Sequence, residues 1–164
     1  VDPDRMHLTL KFLGDTDPGQ VNSTIRILEE IVPLHPAPEI AFRGLGVFRN
    51  IRDPMVIWIG LDAGTVLPVL KARIDERLIP LGFEPEERKF RPHLTLGRIR
   101  SGRGMTGRGT AGLRDPGLLE DLLQQYRDVR FQKSLVNELV YFESILRPEG
   151  PRYLPLKRVS FRKD

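Results

Sequence analysis

At 164 residues the chain has the size of one domain, and its 40% hydrophobic content is enough to bury a core. A net charge of +4, built from 26 basic and 22 acidic residues with arginine the commoner base, favours an anionic partner, with nucleic acid the first candidate. The absence of cysteine excludes a disulfide framework, a thiolate metal site and a cysteine nucleophile; the charged opening VDPDRMHLTL and the lack of a long apolar run speak against a signal peptide and a membrane-spanning helix, so a cytoplasmic protein is expected.

The first element is the alternating stretch RMHLTLKF, predicted as a half-buried strand with Met6, Leu8, Leu10 and Phe12 facing the core and Arg5, His7, Thr9 and Lys11 on the other side. Gly14 ends it. Asp17-Pro18 then predicts a helix through Val32, with Asp17 as N-cap, Pro18 in the first turn and Ile25, Leu28, Ile31 and Val32 as the apolar stripe. Asn22-Ser23-Thr24 matches a glycosylation sequon by chance within that helix. His35 lies in the proline-rich loop LHPAP and is read as structural. Strands follow in EIAFRGLGVF and MVIWIGL, then a second helix from Val66 to Leu81 with Leu67, Leu70, Ile74 and Leu78 on one side.

The pattern then begins again. FRPHLTLGRI reads as a strand, a glycine-rich loop covers 101–112, Asp115-Pro116 caps a helix through Tyr126, and SLVNELVYFES and RYLPLKRVSF read as the last strands. Each half is thus strand, helix, strand, strand, and GVFRNI and VYFESI occupy the same slot, which makes a weak twofold repeat. By that symmetry a helix, with a strand before it, is expected ahead of Arg5, where only VDPD stands.

Two of the three histidines sit in the same tetrapeptide, HLTL, at 7–10 and again at 93–96. In a strand, residues i and i+2 point the same way, roughly 6.5 Å apart. His7 and Thr9 therefore share one polar face, as do His93 and Thr95, while the intervening leucines hold each strand's register. If the two lobes bring these faces to one cleft, one histidine from each, the site has the equipment for metal-free phosphoryl chemistry. Histidine titrates near 6.5, so one imidazole can take a proton from attacking water while the other gives one to the leaving oxygen. The hydroxyls, with backbone N–H groups or arginine, would stabilise the charge that builds on the non-bridging oxygens. A zinc site is the rival use of two histidines. It needs further ligands, for which Asp15 and Asp17 stay open, and no HExxH spacing is present.

MHLTLKFLGD and RPHLTLGRIR, one His-x-Thr-x motif in each half, resemble the 2H phosphoesterase superfamily, and closely the RNA 2′,3′-cyclic phosphodiesterases, also called 2′-5′ RNA ligases. The resemblance spans essentially the whole chain. It implies a bilobal, pseudo-twofold α+β fold, two antiparallel sheets lining a central cleft with helices on the outer faces, as a single domain of two lobes with its first motif half at about 1–62 and its second at about 63–164. It carries His7 and His93 over as catalytic, with His7 the acid and His93 the base, and Thr9 and Thr95 as phosphate-binding. Family members usually have another strand and helix before the first motif, so these are expected to be missing here. Arg91, two residues before His93, is a candidate phosphate contact, with Arg5 its counterpart. Arg98 falls on the core-facing parity, so it must end its strand or sit at a bulge; an arginine just after the motif recurs in the family, and Arg98 joins the candidates on that ground.

GRGMTG at 102–107 matches a dinucleotide-binding string but lacks the helix and the βαβ setting that the string needs, so it reads as a loop whose neighbouring arginines, Arg100, Arg103 and Arg108, can contact RNA. The expected function is hydrolysis of a terminal 2′,3′-cyclic phosphate on RNA to a 2′-phosphate, with 2′-5′ ligation as the related reverse chemistry, no cofactor and no metal. The expected partner is RNA with that terminus, tRNA fragments among the candidates, bound by a monomer without a membrane. Two alternatives stay open: a non-catalytic module that binds RNA ends, and a phosphodiesterase for small cyclic nucleotides or 2′-5′ oligoadenylate.

Overall fold

The computed structural model describes residues 6–49, 54–86, 89–98, 116–148 and 151–163. Its first helix, α1 (Pro18–Ile31), begins where the capping signal placed it. Asp17 accepts a hydrogen bond from the Gln20 N–H at 2.9 Å, the Gln20 side chain accepts one from the Asp17 N–H at 3.1 Å, and Pro18 needs no partner in the first turn. Thr24, Ile27, Leu28 and Ile31 are buried, with Ile27 taking the place expected for Ile25. The second helix, α2 (Val66–Leu78), buries the expected Leu67, Leu70, Ile74 and Leu78. The last turn of that segment is a 3-10 helix, Ile79–Leu81, closed by Gly82 in the left-handed region and tied back to α1 by the Gln20 amide, which donates to the Leu81 carbonyl at 2.8 Å. His35 is buried, and its Nδ1 meets the Ile31 carbonyl at 3.0 Å, in keeping with a structural role.

Six strands complete the α+β fold among the described residues: β1 (Glu39–Arg49), β2 (Pro54–Asp62), β3 (His93–Arg98), β4 (Arg130–Leu135), β5 (Glu138–Ile145) and β6 (Arg152–Ser160), with α3 (Pro116–Gln125) between β3 and β4. They form two antiparallel sheets, one in the order β3-β2-β1-β4 and one of β5 with β6. The stretch 134–144, expected as one strand, is divided at Val136 and Asn137. The residues before the break pair in the larger sheet and those after it in the smaller, because backbone partners, not side-chain pattern, decide where a ladder stops. The glycine-rich loop, the Asp115 cap and Arg5 lie outside the described residues.

Two compact units interleave along the sequence. Val1–Leu10, Ala41–Asp62 and Arg91–Lys133 make the first, which holds both HLTL motifs and most of the larger sheet; Lys11–Ile40, Ala63–Phe90 and Ser134–Asp164 make the second, with α1, α2 and the smaller sheet.

The first motif is not the regular strand that its alternation predicted. Among the described residues its backbone pairs through one antiparallel bridge, Leu8 opposite Leu94. Alternation fails beyond Leu10. The Lys11 side chain, expected on the polar face, is only 8% exposed, and Phe12, expected in the core, is 75% exposed. An ionic cluster in the second unit explains the reversal. The Lys11 ammonium lies 3.1 Å from Asp75 and donates to the Glu84 carbonyl at 3.1 Å, while Lys71, one turn before Asp75 on α2, holds the other carboxylate oxygen. Drawing Lys11 inward turns its neighbour Phe12 outward.

Asp75 is thus the shared anion of two mostly buried ammonium groups, and its removal leaves both without it. Asp75→Ala should cost about 2–3 kcal/mol in urea unfolding, below the full penalty for breaking a buried pair because the Asp75 side chain keeps some exposure. Glu30→Ala, which removes an exposed ion pair with Arg77, should cost less than about 1 kcal/mol. Equal losses in the two variants would show that the cluster is no more than a surface pair.

Candidate active site

Both motifs belong to the first unit, and one ladder joins them. The two motif segments are direct neighbours. In an antiparallel pairing the residues flanking a facing pair also face each other, so the Leu8–Leu94 bridge sets His7 opposite Thr95 and Thr9 opposite His93. A ladder in that register puts all four on one face and the leucines on the other. Directly opposed Cβ atoms in a regular antiparallel ladder are about 5 Å apart and diagonal ones about 7–8 Å, and in the register of the Leu8–Leu94 bridge His7 and His93 are diagonal.

The second motif lies on β3, the end strand of the larger sheet, with β2 on one side and the first motif bridged to it at Leu94 on the other. His93 pairs with Gly60, Leu94 with Ile59 and Thr95 with Trp58. Ile59 and Leu61, pointing away from the motif face, are each 8% exposed. The His93 ring is held on two sides. Its Nδ1 lies 2.8 Å from the Arg91 carbonyl, and since a carbonyl only accepts, Nδ1 carries the proton and Nε2 is left with the lone pair in the neutral ring. The Phe48 ring meets the imidazole edge-on, centroids 4.7 Å apart at 84°, and Trp58 does so at 6.2 Å and 61°.

Arg91 precedes β3 with its side chain exposed, and its carbonyl meets the His93 ring. Arg98 is the last residue of β3, and a bulge lies between it and the motif: Thr95 pairs with Trp58 but Gly97 with Ile57, leaving Leu96 as the extra residue. The extra residue resets the alternation, so Arg98, opposite Val56, returns to the face of Trp58 and Thr95. Both alternatives for its position, strand end and bulge, hold at once.

Phe48, Trp58 and Gly46 went unmarked as site residues in the sequence. Gly46 faces Trp58 across the β1–β2 ladder, and a Cβ on it would stand 2.1 Å from the indole. The ring therefore lies directly on the glycine backbone, with Phe48 against it at 5.4 Å. The signal was available in principle, since a glycine amid the apolar alternation of a strand marks a close approach. Only the register identifies what approaches. The Trp58 Nε1 is buried without a hydrogen-bond partner among the described residues, an unmet donor on the motif face.

With the fold and the pairing of the two motifs in place, the class is a phosphoesterase. The model of the LigT-like phosphoesterases matches residues 1–58 and 62–153, and the chain belongs to that family. An RNA 2′,3′-cyclic phosphodiesterase of Aquifex aeolicus is 35% identical over 158 residues, 93% of this chain and 76% of the relative. One of Methanothermobacter thermautotrophicus is 31% identical over 157 residues, 96% of this chain and 79% of the relative. Among solved structures, TT0787 of Thermus thermophilus superposes with a TM-score of 0.74 at 24% identity, covering 100% of this chain and 82% of its own, and apo LigT of E. coli with 0.70 at 22%, covering 99% and 79%. At those identities the superpositions speak for the fold.

The chain has one tryptophan, so its intrinsic fluorescence reports on Trp58 alone. Gly46→Ala should displace the indole, shift its emission maximum and lower stability by about 1–3 kcal/mol, the usual cost of overpacking. An unchanged spectrum and unfolding curve would show that the indole does not rest on the Gly46 backbone.

Proposed function

We propose that this chain hydrolyses a terminal 2′,3′-cyclic phosphate on RNA and leaves a 2′-phosphate. The observation that carries the proposal is the Leu8–Leu94 pairing, which sets the two HLTL motifs edge to edge in a chain of a phosphoesterase family. The names of its relatives, RNA 2′,3′-cyclic phosphodiesterases, supply the substrate class.

His93 is the general base. Its Nδ1 proton is engaged by the Arg91 carbonyl, so Nε2 is the atom that takes a proton from water as the water oxygen attacks phosphorus. His7, protonated, is the general acid on the other side of the diagonal. As the bond from phosphorus to the 3′ oxygen breaks, His7 gives its proton to that oxygen, and the phosphate stays on the 2′ oxygen. Thr9 and Thr95 hold the non-bridging oxygens, and Arg98 and Arg91 offset the charge that builds on them. The same groups accept a 5′-hydroxyl in place of water, which makes a 2′-5′ linkage and frees the 3′-hydroxyl. The acid and base come from the chain, so turnover proceeds without an added metal or cofactor.

An oligonucleotide ending in a 2′,3′-cyclic phosphate, incubated with the protein in EDTA, should give a product with its phosphate on the 2′ oxygen. A requirement for restored zinc or manganese would overturn the metal-free mechanism, and binding without turnover would make the chain an RNA-end-binding module. His7→Ala and His93→Ala should each lower kcat by about two to four orders of magnitude. The wild-type rate should be bell-shaped against pH, because one imidazole must be neutral while the other is protonated. On a substrate whose leaving group departs unprotonated, His7→Ala should recover much of its loss and His93→Ala should not; equal recovery would reverse or abolish the division of roles.

A further inference from the structure

The row of residues that crosses the larger sheet from His93 runs to Gly60 on β2 and then to Arg43 on β1, each facing the next in register. Facing residues share a side of the sheet, so Arg43 emerges on the same face as the two motifs, two strand spacings or roughly 10 Å from His93. The residue between them has no side chain. A Cβ at Gly60 would stand 2.5 Å from the Arg43 carbonyl, so the backbone approach keeps the lane between His93 and Arg43 clear of a side chain at that point. A bulge at Gly44, whose φ is +71°, separates Arg43 from the rest of β1 without changing its face: Arg43 opposes Gly60, Leu45 opposes Ile59 and Gly46 opposes Trp58.

Arg43 is exposed and only partly engaged. One nitrogen, Nη2, donates to Asp128 at 2.8 Å, in a pair whose side chains are 45% and 75% exposed. A guanidinium has five N–H donors in a planar fork, so one monodentate contact leaves capacity for a phosphate. An ion pair so open to water is weak enough for a phosphate to compete with it.

We propose that Arg43 binds the phosphodiester one nucleotide upstream of the reacting terminus, so that the site takes an oligonucleotide in preference to a cyclic mononucleotide. This rests on the function proposed above. The reacting phosphate lies over the first motif and β3, its upstream neighbour over Gly60, and Arg43 reaches back from β1 to meet it. Asp128 steers the guanidinium and competes with the phosphate, so its charge sets the strength of the subsite.

The test compares a mononucleoside 2′,3′-cyclic phosphate with a dinucleotide that ends in the same cyclic phosphate and has one upstream phosphodiester. Wild-type kcat/KM should favour the dinucleotide by roughly tenfold, in line with a charge-assisted contact. Arg43→Ala should bring that ratio close to one, Arg43→Lys should restore part of it, and Asp128→Asn should raise it. Replacing the upstream phosphodiester with a neutral methylphosphonate should cost the wild type what Arg43→Ala costs, and cost Arg43→Ala little more. A ratio unchanged in Arg43→Ala, or a methylphosphonate loss of equal size in both proteins, overturns the subsite alone. Failure of the wild type to turn over either substrate overturns the phosphodiesterase function on which the subsite rests.

Discussion

The arrangement of the site depends on one backbone pairing, Leu8 with Leu94. Two identical tetrapeptides that meet antiparallel at their second residues are related by a local twofold axis. That axis sets each histidine opposite a threonine and the two histidines diagonal to one another. A shift of one residue in either segment would turn its histidine and threonine to the far side of the sheet and its leucines outward. The repeated HLTL is therefore more than a count of useful side chains. Equal spacing in both copies is what makes a single pairing sufficient to set four residues on one face. Such a pairing contributes little by itself, and immediately after the motif the chain is fastened again, where Lys11 meets Asp75 and the Glu84 carbonyl.

The environments of the two motifs are less alike than their sequences. The second is built into a sheet, with β2 alongside, a carbonyl on Nδ1 of its histidine and two aromatic rings against the imidazole. The first meets that sheet through the Leu8–Leu94 bridge. A symmetric sequence gives two histidines no physical reason to divide acid from base. The His93 ring, its Nδ1 proton engaged by the Arg91 carbonyl, presents a lone pair at Nε2 when neutral. Glycine makes this environment possible. Without the bare backbone at Gly46 the indole of Trp58 has no room to lie where it does, and the cluster of Trp58, Phe48 and His93 loses its floor.

Local signals were the legible part. Asp17, Pro18 and Gln20 announced the start of α1, and the spacing of Leu67, Leu70, Ile74 and Leu78 announced the buried side of α2, because caps and helical stripes are made by residues within a few positions of one another. The α+β class and the membership of a phosphoesterase family were legible from the doubled motif, which is short, specific and contiguous. Phe12 was misplaced because alternation assumes that a strand continues. The alternation instead broke where Lys11 found an acidic partner on α2, far away in sequence. The strand expected at 134–144 was divided for the same kind of reason, since its two parts answer to partners in different sheets.

By itself, then, the sequence determined the helices, the residue types of the chemistry and the spacing that keeps each histidine beside its threonine, since all of these follow from neighbours along the chain. Tertiary structure alone decided that the two motifs meet in one ladder, that Trp58 and Phe48 enclose His93, that a bulge at Leu96 returns Arg98 to the motif face and that Arg43 emerges on that face beyond Gly60. These are matters of register between strands that lie far apart in the chain. Register is set by backbone hydrogen bonds and bulges formed only on folding, and a shift of one residue in any ladder would have left the composition and the motifs unchanged while sending the same side chains to the opposite face.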